Sequence, residues 1–205
     1  GDHASAISGL AKFPRIKVFA NAATARAIQA DMTFRADWQL FETGTHFKFR
    51  DLDVVSFSVP HDAQEPVGFV FSHGAGDLLS PCRRLAWVTD LGYVPQHIRE
   101  HIRDVDVVAL EANHCPELLK ADSKRPWSVK QRISGRHGHL SNESAREFLA
   151  AVASPRWRRV YLTHLSRDCN TPESVERALA PTLQALGCSF SVVAPGTSTP
   201  FYDFS

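Results

Sequence analysis

The chain has 205 residues, 43% of them hydrophobic, with 23 basic against 22 acidic residues and a formal net charge of +1. A chain of this size can form one domain with a large core. The balanced charge excludes a global field that would attract nucleic acid, membranes or acidic partners, although local patches stay open. The four cysteines form no CxxC pair, and no apolar run approaches the length of a transmembrane helix. We therefore expect a cytoplasmic protein without membrane contact.

The first half of the chain predicts mainly β-strands. Residues 15–20 are typical of a buried strand, and Asn21 can cap a helix over 22–32, where apolar residues recur at helical spacing. Three segments then alternate apolar and polar residues between turn signals. This alternation predicts an antiparallel meander over residues 38–42, 46–49 and 51–59, and the strands continue over 66–71 and 83–90.

The second half predicts alternating helices and strands. Helices are expected over residues 93–104, 115–122, 128–133, 141–153 and 171–187, and strands over 106–112, 158–165 and 189–195. Residues 120–128 are the most loop-like stretch; they are basic, and they either flank a substrate cleft or form a solvated surface loop. Antiparallel strands followed by alternating helices and strands predict an α/β fold with two sheets and helices packed outside them.

Histidine and aspartate residues stand at the chain start and directly after three predicted strands. They are Asp2 with His3, His61, Asp90 and His164. A rigid strand holds the side chains just after its end in fixed positions, and functional sites therefore often form there. Imidazole nitrogens and carboxylate oxygens suit zinc, iron or manganese, and a carboxylate can bridge two ions. The pattern predicts a metal site, with ordinary hydrogen-bonded histidines as the alternative.

Six motifs follow one another along essentially the whole chain: DH…SGL, VPHDAQEPVGF, WVTDLGYV, LEANH, GHLSN and LTHLS. Together they resemble the metallo-β-lactamase-fold hydrolases, in particular the YycJ/WalJ-like branch of phosphodiesterases and exonucleases. The DH, PHD and TDLG elements are shared across that superfamily, whereas EANH, GHLSN and HLS are typical of this branch. The resemblance implies an αββα sandwich with a dinuclear metal site at one edge.

The resemblance also implies a set of metal ligands. One ion would be held by His61 and by two histidines of the family's His-x-His-x-Asp-His motif, which would precede the present chain. The other ion would be held by Asp2, His3 and His164, and Asp90 would bridge the two ions. We therefore expect two divalent ions, zinc, manganese or iron, in the complete protein, and at most one well-formed site in the present chain.

The absence of the first half of this motif also indicates that the domain is incomplete at its start. Residues 1–205 are predicted to be a single metallo-β-lactamase-like domain that lacks its first strands. Loss of those strands would expose a sheet edge and apolar surface. A fragment that begins at Gly1 is therefore expected to be inactive or poorly folded.

His139, in the GHLSN motif, is the candidate general acid, because the resemblance places it beside the metals without making it a ligand. A hydrogen bond to a loop is the alternative role. Asp2 is the second candidate catalytic residue, through its place in the metal site. Asp62 and Asn142 are predicted to orient a ligand and a loop, and His114 to support the site, contact substrate or serve the structure.

The motifs favour metal-dependent hydrolysis of a phosphodiester, at a nucleic-acid end or in a small or cyclic phosphodiester. The same constellation serves thioester, lactone and lactam hydrolysis elsewhere in the superfamily, and a fold does not choose among these reactions. A non-catalytic binding protein with an incomplete metal site is a further alternative.

Overall fold

A computed structural model describes residues 7–13, 15–79 and 81–203. After a 3-10 helix at Ile7–Lys12, the strands are β1 Lys17–Asn21, β2 Asp37–Phe41, β3 His46–Phe49, β4 Leu52–Ser58, β5 Val67–His73, β6 Arg83–Val88, β7 Val107–Glu111, β8 Arg159–Thr163 and β9 Ser189–Val192. The α-helices are α1 Ala22–Ala30, α2 Gln96–Arg103, α3 Pro116–Ala121, α4 Trp127–Ile133, α5 Asn142–Val152 and α6 Pro172–Ala185. Within these residues, no helix combines the length and apolar character needed to cross a membrane.

The strands form two sheets. β1 and β2 make a small parallel sheet, and β3 to β9 make a seven-stranded sheet in chain order. Neighbours are antiparallel from β3 to β6 and parallel from β6 to β9. Consequently β4, β6, β7, β8 and β9 run in one direction, and their carboxyl ends share one edge of the large sheet.

The antiparallel meander begins at β3, so the prediction that residues 38–42 belong to it was wrong. β2 instead pairs in parallel with β1, with Lys17 opposite Asp37. α1 provides the crossover that parallel neighbours require, and apolar–polar alternation in a strand does not reveal its pairing direction. The predicted cap of α1 is confirmed, since the Asn21 side chain accepts a 2.9 Å hydrogen bond from the Thr24 backbone N–H.

The main core lies between one face of the large sheet and three helices. Val70, Val88, Leu110 and Leu162 lie on strands of that sheet and are fully buried. They share one hydrophobic cluster with side chains of α2, α5 and α6: Ile98, Ile102, Leu149, Leu179 and Leu183. All of β7 is buried, as is typical of a parallel strand covered on both faces. This packing makes the strand ends a rigid platform.

The small sheet contacts the large sheet through aromatic rings. The Phe47 ring stacks on Phe19 and Phe41, at centroid distances of 5.3 and 4.9 Å, and Phe41 meets Phe69 edge to face. α1 packs against β1 and β2. The predicted α/β fold, with two sheets and helices outside them, is confirmed.

Candidate metal centre

Four acidic or histidine side chains meet where the strands of the large sheet end. His61 follows β4, Asp90 follows β6, Glu111 is the last residue of β7, and His164 directly follows β8. The sequence places these residues far apart along the chain, and the common strand direction brings them to one edge. His139 joins them from the loop between α4 and α5.

Two of these residues have an unusual backbone conformation. Asp90 has φ of 57° and His164 has φ of 58°, so both lie in the left-handed region that side chains other than glycine rarely adopt. Such a conformation costs on the order of 1–3 kcal/mol and persists where the surrounding structure enforces it, often at functional sites. The strain marks the two strand ends as places where side-chain direction matters.

Asp90 lies between two imidazole rings. Its Oδ1 is 3.7 Å from His61 Nε2 and 3.7 Å from His164 Nε2. Two ligand atoms on one tetrahedral ion are separated by about 3.4 Å when each bond is about 2.1 Å long. The spacing of these three side chains therefore fits nitrogen and carboxylate coordination of divalent ions.

The hydrogen bond of His61 determines which ring nitrogen faces Asp90 unprotonated. His61 Nδ1 lies 3.0 Å from the Gly138 carbonyl oxygen, which can only accept. Neutral His61 therefore carries its proton on Nδ1 and donates it to Gly138. The Nε2 lone pair is left toward Asp90, as a metal ligand requires.

The carboxylate of Glu111 accepts hydrogen bonds from several chain segments around the centre. Its Oε1 accepts hydrogen bonds from the backbone N–H groups of Leu91 and Leu140, at 3.0 and 2.8 Å. Its Oε2 lies 3.1 Å from the Asp90 backbone nitrogen and 3.2 and 3.0 Å from the Nδ1 atoms of His139 and His164. One ligand atom from each of Asp90, Glu111, His139 and His164 lies within 4.8 Å of the others. Both Glu111 oxygens accept hydrogen bonds from N–H donors, and its Oε2 orients the rings of His139 and His164.

Glu111 is ionised despite complete burial. Burial disfavours the carboxylate, but the hydrogen bonds from His139 and His164 outweigh burial and hold the pKa of Glu111 below its ordinary value. The negative charge keeps the Nδ1 protons of both histidines directed at Oε2. Their Nε2 atoms are consequently the ones available for coordination or proton transfer.

A close backbone approach positions His139. A Cβ atom added at Gly138 would overlap the backbone carbonyl oxygens of Ile133 and Arg132. The His139 N–H donates to the Ile133 carbonyl at 2.8 Å, and the His139 ring lies 4.9 Å from the His61 ring, centroid to centroid. Glycine is therefore required for this loop to bring His139 over the strand ends.

Asp62 forms an ion pair on the rim of the centre. Its carboxylate accepts a hydrogen bond from Arg132 Nε on α4, and this bond lowers the pKa of Asp62 below its ordinary value. Its backbone N–H donates to the His137 carbonyl at 3.0 Å. Asp62 thus ties the turn that carries His61 to α4 and to the loop that carries His139.

His114 and Asn142 lie behind the centre. Both are buried, with 3% and 1% exposure, and neither lines the open cleft above the strand ends. Asn142 forms a reciprocal amide pair with Asn170, at 3.0 and 2.9 Å, and its backbone N–H donates to the His114 carbonyl. These contacts fasten the start of α5 beside the end of β7.

Two contributors to the site were not assigned a role by the sequence analysis. Glu111 and Asn113 both lie in the LEANH motif. Asn113 Nδ2 donates to the His164 carbonyl at 2.8 Å, and its backbone N–H donates to the Leu140 carbonyl at 3.0 Å. The sequence feature that could have identified Glu111 is its position at the end of an otherwise apolar strand. An unpaired buried carboxylate is costly, so a glutamate at such a position indicates that hydrogen-bond donors surround it.

Of the remaining predicted residues, some are described by the structure and others are not. Asp2 and His3 lie outside the described residues. Of the basic stretch 120–128, only 122–126 form a connection, because α3 and α4 take up its ends. Arg125 from this connection lines the cleft, which agrees with the first of the two roles considered for it.

Comparisons with known proteins agree with this arrangement. The family model described as a beta-lactamase superfamily domain matches residues 1–165. Exodeoxyribonuclease YycJ of Bacillus anthracis is 32% identical over 193 residues, which cover 91% of this chain and 68% of that protein. Exodeoxyribonuclease WalJ of Streptococcus pneumoniae serotype 2 is 31% identical over 209 residues, covering 97% and 75%.

Solved structures share the fold at low sequence identity. The metallo-beta-lactamase fold protein YhfI from Bacillus subtilis has a TM-score of 0.61 at 10% identity, covering 93% of this chain and 67% of that one. Zn(2+)-bound PqqB from Methylobacterium extorquens has a TM-score of 0.62 at 17% identity, covering 90% and 66%. With the family match and the two exodeoxyribonuclease relatives, the chain belongs to the beta-lactamase superfamily and is a hydrolase of the metallo-β-lactamase fold.

Proposed function

We propose that the protein hydrolyses phosphodiester bonds at the ends of DNA strands, with divalent metal ions bound at the strand ends of the large sheet. The observation that carries the proposal is Asp90 Oδ1 lying 3.7 Å from the Nε2 atoms of both His61 and His164. The substrate class follows from the exodeoxyribonuclease relatives, which are similar over nearly the whole chain.

His61, Asp90 and His164 would hold the ions together with Asp2 and His3, and Asp90 would bridge two ions. Zinc, manganese and iron suit such nitrogen and carboxylate ligands. When bound, the ions supply a water nucleophile at neutral pH and positive charge for the phosphate oxygens.

His139 would complete the reaction by protonating the leaving oxygen. Its Nδ1 is directed at Glu111 Oε2, 3.2 Å away, so the proton for the leaving oxygen would have to be donated from Nε2. Transfer of the Nε2 proton to the leaving oxygen gives a neutral imidazole, and Glu111 keeps the ring oriented throughout. Because Glu111 remains ionised, it also stabilises the protonated ring before transfer.

The test is cleavage of end-labelled single-stranded and duplex DNA by the full natural chain loaded with Mn²⁺ or Zn²⁺. We expect progressive shortening from one end, and loss of that activity in His164→Ala. A protein that leaves DNA and bis-p-nitrophenyl phosphate intact but hydrolyses a thioester, lactone or lactam would have a different substrate class from the one proposed. Binding of DNA without any hydrolysis would favour the non-catalytic alternative.

A further inference from the structure

A second pocket lies at the edge of the large sheet opposite the metal centre. It forms where β6 begins at Arg83, and where Asp106 and Arg158 directly precede β7 and β8. These three strands are parallel neighbours, so their amino ends share this edge. The five residues of β7 separate the two edges by about 17 Å, at a rise of about 3.3 Å per residue. The pocket is therefore distinct from the metal centre.

Three guanidinium groups share one buried carboxylate in this pocket. The side chain of Asp106 is only 4% exposed, and its Oδ2 accepts a 2.8 Å hydrogen bond from the Arg84 backbone N–H. Guanidinium nitrogens lie 3.9, 3.6 and 3.9 Å from its oxygens in Arg83, Arg156 and Arg158. These distances exceed the N–H···O hydrogen-bond range of about 2.7–3.2 Å. Asp106 therefore draws the three groups together without taking up their hydrogen-bond donors.

Arg158 offers unused donors to a ligand. Its side chain is 49% exposed, and its Nε lies 3.9 Å from Asp106 Oδ1. No hydrogen bond joins its terminal amino groups to the residues that the structure describes. Both terminal amino groups can consequently donate to an anion in the pocket.

Arg156 is fixed in position and still incompletely satisfied. One terminal amino group donates to Asp104 at 3.0 Å, and the other donates to the Cys82 carbonyl at 3.2 Å. Its Nε is buried and has no hydrogen-bond partner among the described residues. A guanidinium held in this way is ordered before a ligand arrives, which reduces the entropic cost of binding.

The acidic side chains around the pocket do not cancel its positive charge. Asp104 pairs with both Arg84 and Arg156, at 2.6 and 3.0 Å. Asp77 lines the pocket, and its Oδ1 accepts a 2.9 Å backbone hydrogen bond within the turn between β5 and β6. With the buried Asp106, three carboxylates thus face four guanidinium groups. The local charge favours an anion.

We infer that this pocket binds a phosphate group, with Arg156 and Arg158 as hydrogen-bond donors and Arg83 as a further positive charge. The pocket has a volume of about 480 Å³, within the usual size of ligand sites. A phosphate has enough oxygens to accept from two guanidinium groups, whereas a carboxylate is matched by one. The phosphate is either free, as in a phosphate monoester, or part of a nucleic-acid strand. The inference goes beyond the proposed function and does not rest on it, because this site needs no metal ion.

The test is a titration of inorganic phosphate into the Zn²⁺-loaded natural chain, followed by the backbone amide signals in nuclear magnetic resonance spectra. The signals of Gly76, Cys82 and Asp106 report on the pocket, and that of His164 reports on the metal centre. We expect saturable shifts of the pocket signals. Arg158→Gln should weaken this binding by about 10-fold or more, because hydrogen bonds to a charged group are lost, and should leave the response of the centre unchanged.

Two further variants separate hydrogen bonding from charge. Arg158→Lys keeps the charge without the planar fork of donors, so its affinity should lie between those of the natural chain and Arg158→Gln. The matched control is Arg177→Gln, which removes a charge from an exposed position on α6 outside the pocket and should bind phosphate like the natural chain. If phosphate shifts no pocket signal, or if Arg158→Gln binds as tightly as Arg177→Gln, the inference is overturned and the arginines only neutralise Asp106. DNA hydrolysis is measured separately and would stand in that case.

The same signals distinguish the two sources of the phosphate. Phosphorothioate oligonucleotides, which resist hydrolysis, replace inorganic phosphate in a series of increasing length. If the phosphate belongs to a strand, affinity at the pocket should rise with length, and Arg158→Gln should reduce the slope of log affinity against log salt by about 0.7. If the phosphate is free, a deoxynucleoside monophosphate should bind as tightly as any strand. Either result supports the site and identifies its ligand.

Discussion

Glu111 connects the parts of the centre more directly than any of the predicted ligands. Its two oxygens receive the backbone N–H groups of Asp90, Leu91 and Leu140 and the rings of His139 and His164. A buried carboxylate with this many donors is stabilised as an anion and holds several chain segments in place. The centre therefore has a preformed acceptor beneath it that does not depend on a bound ion.

His139 allows a test that separates acid catalysis from metal binding. We expect His139→Ala to reduce turnover of DNA by about 10²–10⁴-fold. The loss should be smaller with bis-p-nitrophenyl phosphate, because p-nitrophenolate leaves without protonation. Elemental analysis should find the metal content unchanged, as in the control His73→Ala, which alters an exposed histidine paired with Asp51. Loss of metal from His139→Ala would identify His139 as a ligand instead.

His114 makes folding sensitive to acid. Burial lowers the pKa of His114 from 6.5 to about 4, and its Nδ1 has no hydrogen-bond partner among the described residues. Between these two pKa values the unfolded chain binds a proton at His114 that the folded chain does not. The free energy of unfolding is therefore at its full value above pH 6.5 and decreases as the pH falls toward 4. The loss from this residue is on the order of 3 kcal/mol.

The measurement is the free energy of urea unfolding across that pH range, for the natural chain and for His114→Leu. We expect the pH dependence to be shallower in His114→Leu, because the buried site no longer titrates. Carboxylates contribute to both curves, so the difference between the curves isolates His114. Parallel curves would contradict the assignment.

The connection between α4 and α5 illustrates how one element depends on its neighbours. Gly138 lets the chain pass close to the end of α4, and the Gly138 carbonyl then orients His61. We expect Gly138→Ala to cost about 1–3 kcal/mol, as overpacking typically does, and to weaken metal binding by displacing the loop. Unfolding in urea and metal titration would measure the two effects.

Gly9 provides the matched control for that substitution. A Cβ atom at Gly9 meets nothing within 4 Å, and the residue lies in the 3-10 helix. Gly9→Ala should not destabilise the protein, because alanine is at least as stable as glycine at an unstrained helical position, and it should leave metal affinity unchanged. Equal effects of the two substitutions would show that the close approach at Gly138 is unimportant.

The molecule as a whole brings two carboxylates and three histidines to one sheet edge, so metal should stabilise the folded state. A ligand at about 100 times its dissociation constant contributes about 2.7 kcal/mol, which corresponds to an increase in Tm of roughly 5–10 °C for a domain of this size. We expect Zn²⁺ or Mn²⁺ to raise the Tm of the natural chain, and a chelator to reverse the shift.

The shift should be strongly reduced in His164→Ala and retained in His46→Ala, which alters an exposed histidine on β3. Differential scanning calorimetry with and without metal would measure all three proteins. An undiminished shift in His164→Ala would mean that the ion binds elsewhere.

Much of the architecture follows from local sequence, because helix caps and apolar periodicity act over a few residues. Asn21 caps α1 as predicted, and Ser141 and Thr171 accept from the backbone N–H groups of Ser144 and Ser174. The positions of His61, Asp90 and His164 after strands could likewise be predicted, since strand ends are visible in the sequence. The sequence by itself thus determined the elements, the fold class and these three members of the centre.

Only the tertiary structure decided how these parts meet. The parallel pairing of β2 with β1 depends on a crossover, which alternation of side chains within a strand does not encode. The hydrogen bonds of Glu111 join residues 20 to 53 positions apart, and the Arg132–Asp62 contact spans 70. Such contacts arise from packing between distant elements, so the oriented histidines and the Arg132–Asp62 ion pair became visible only in the folded chain.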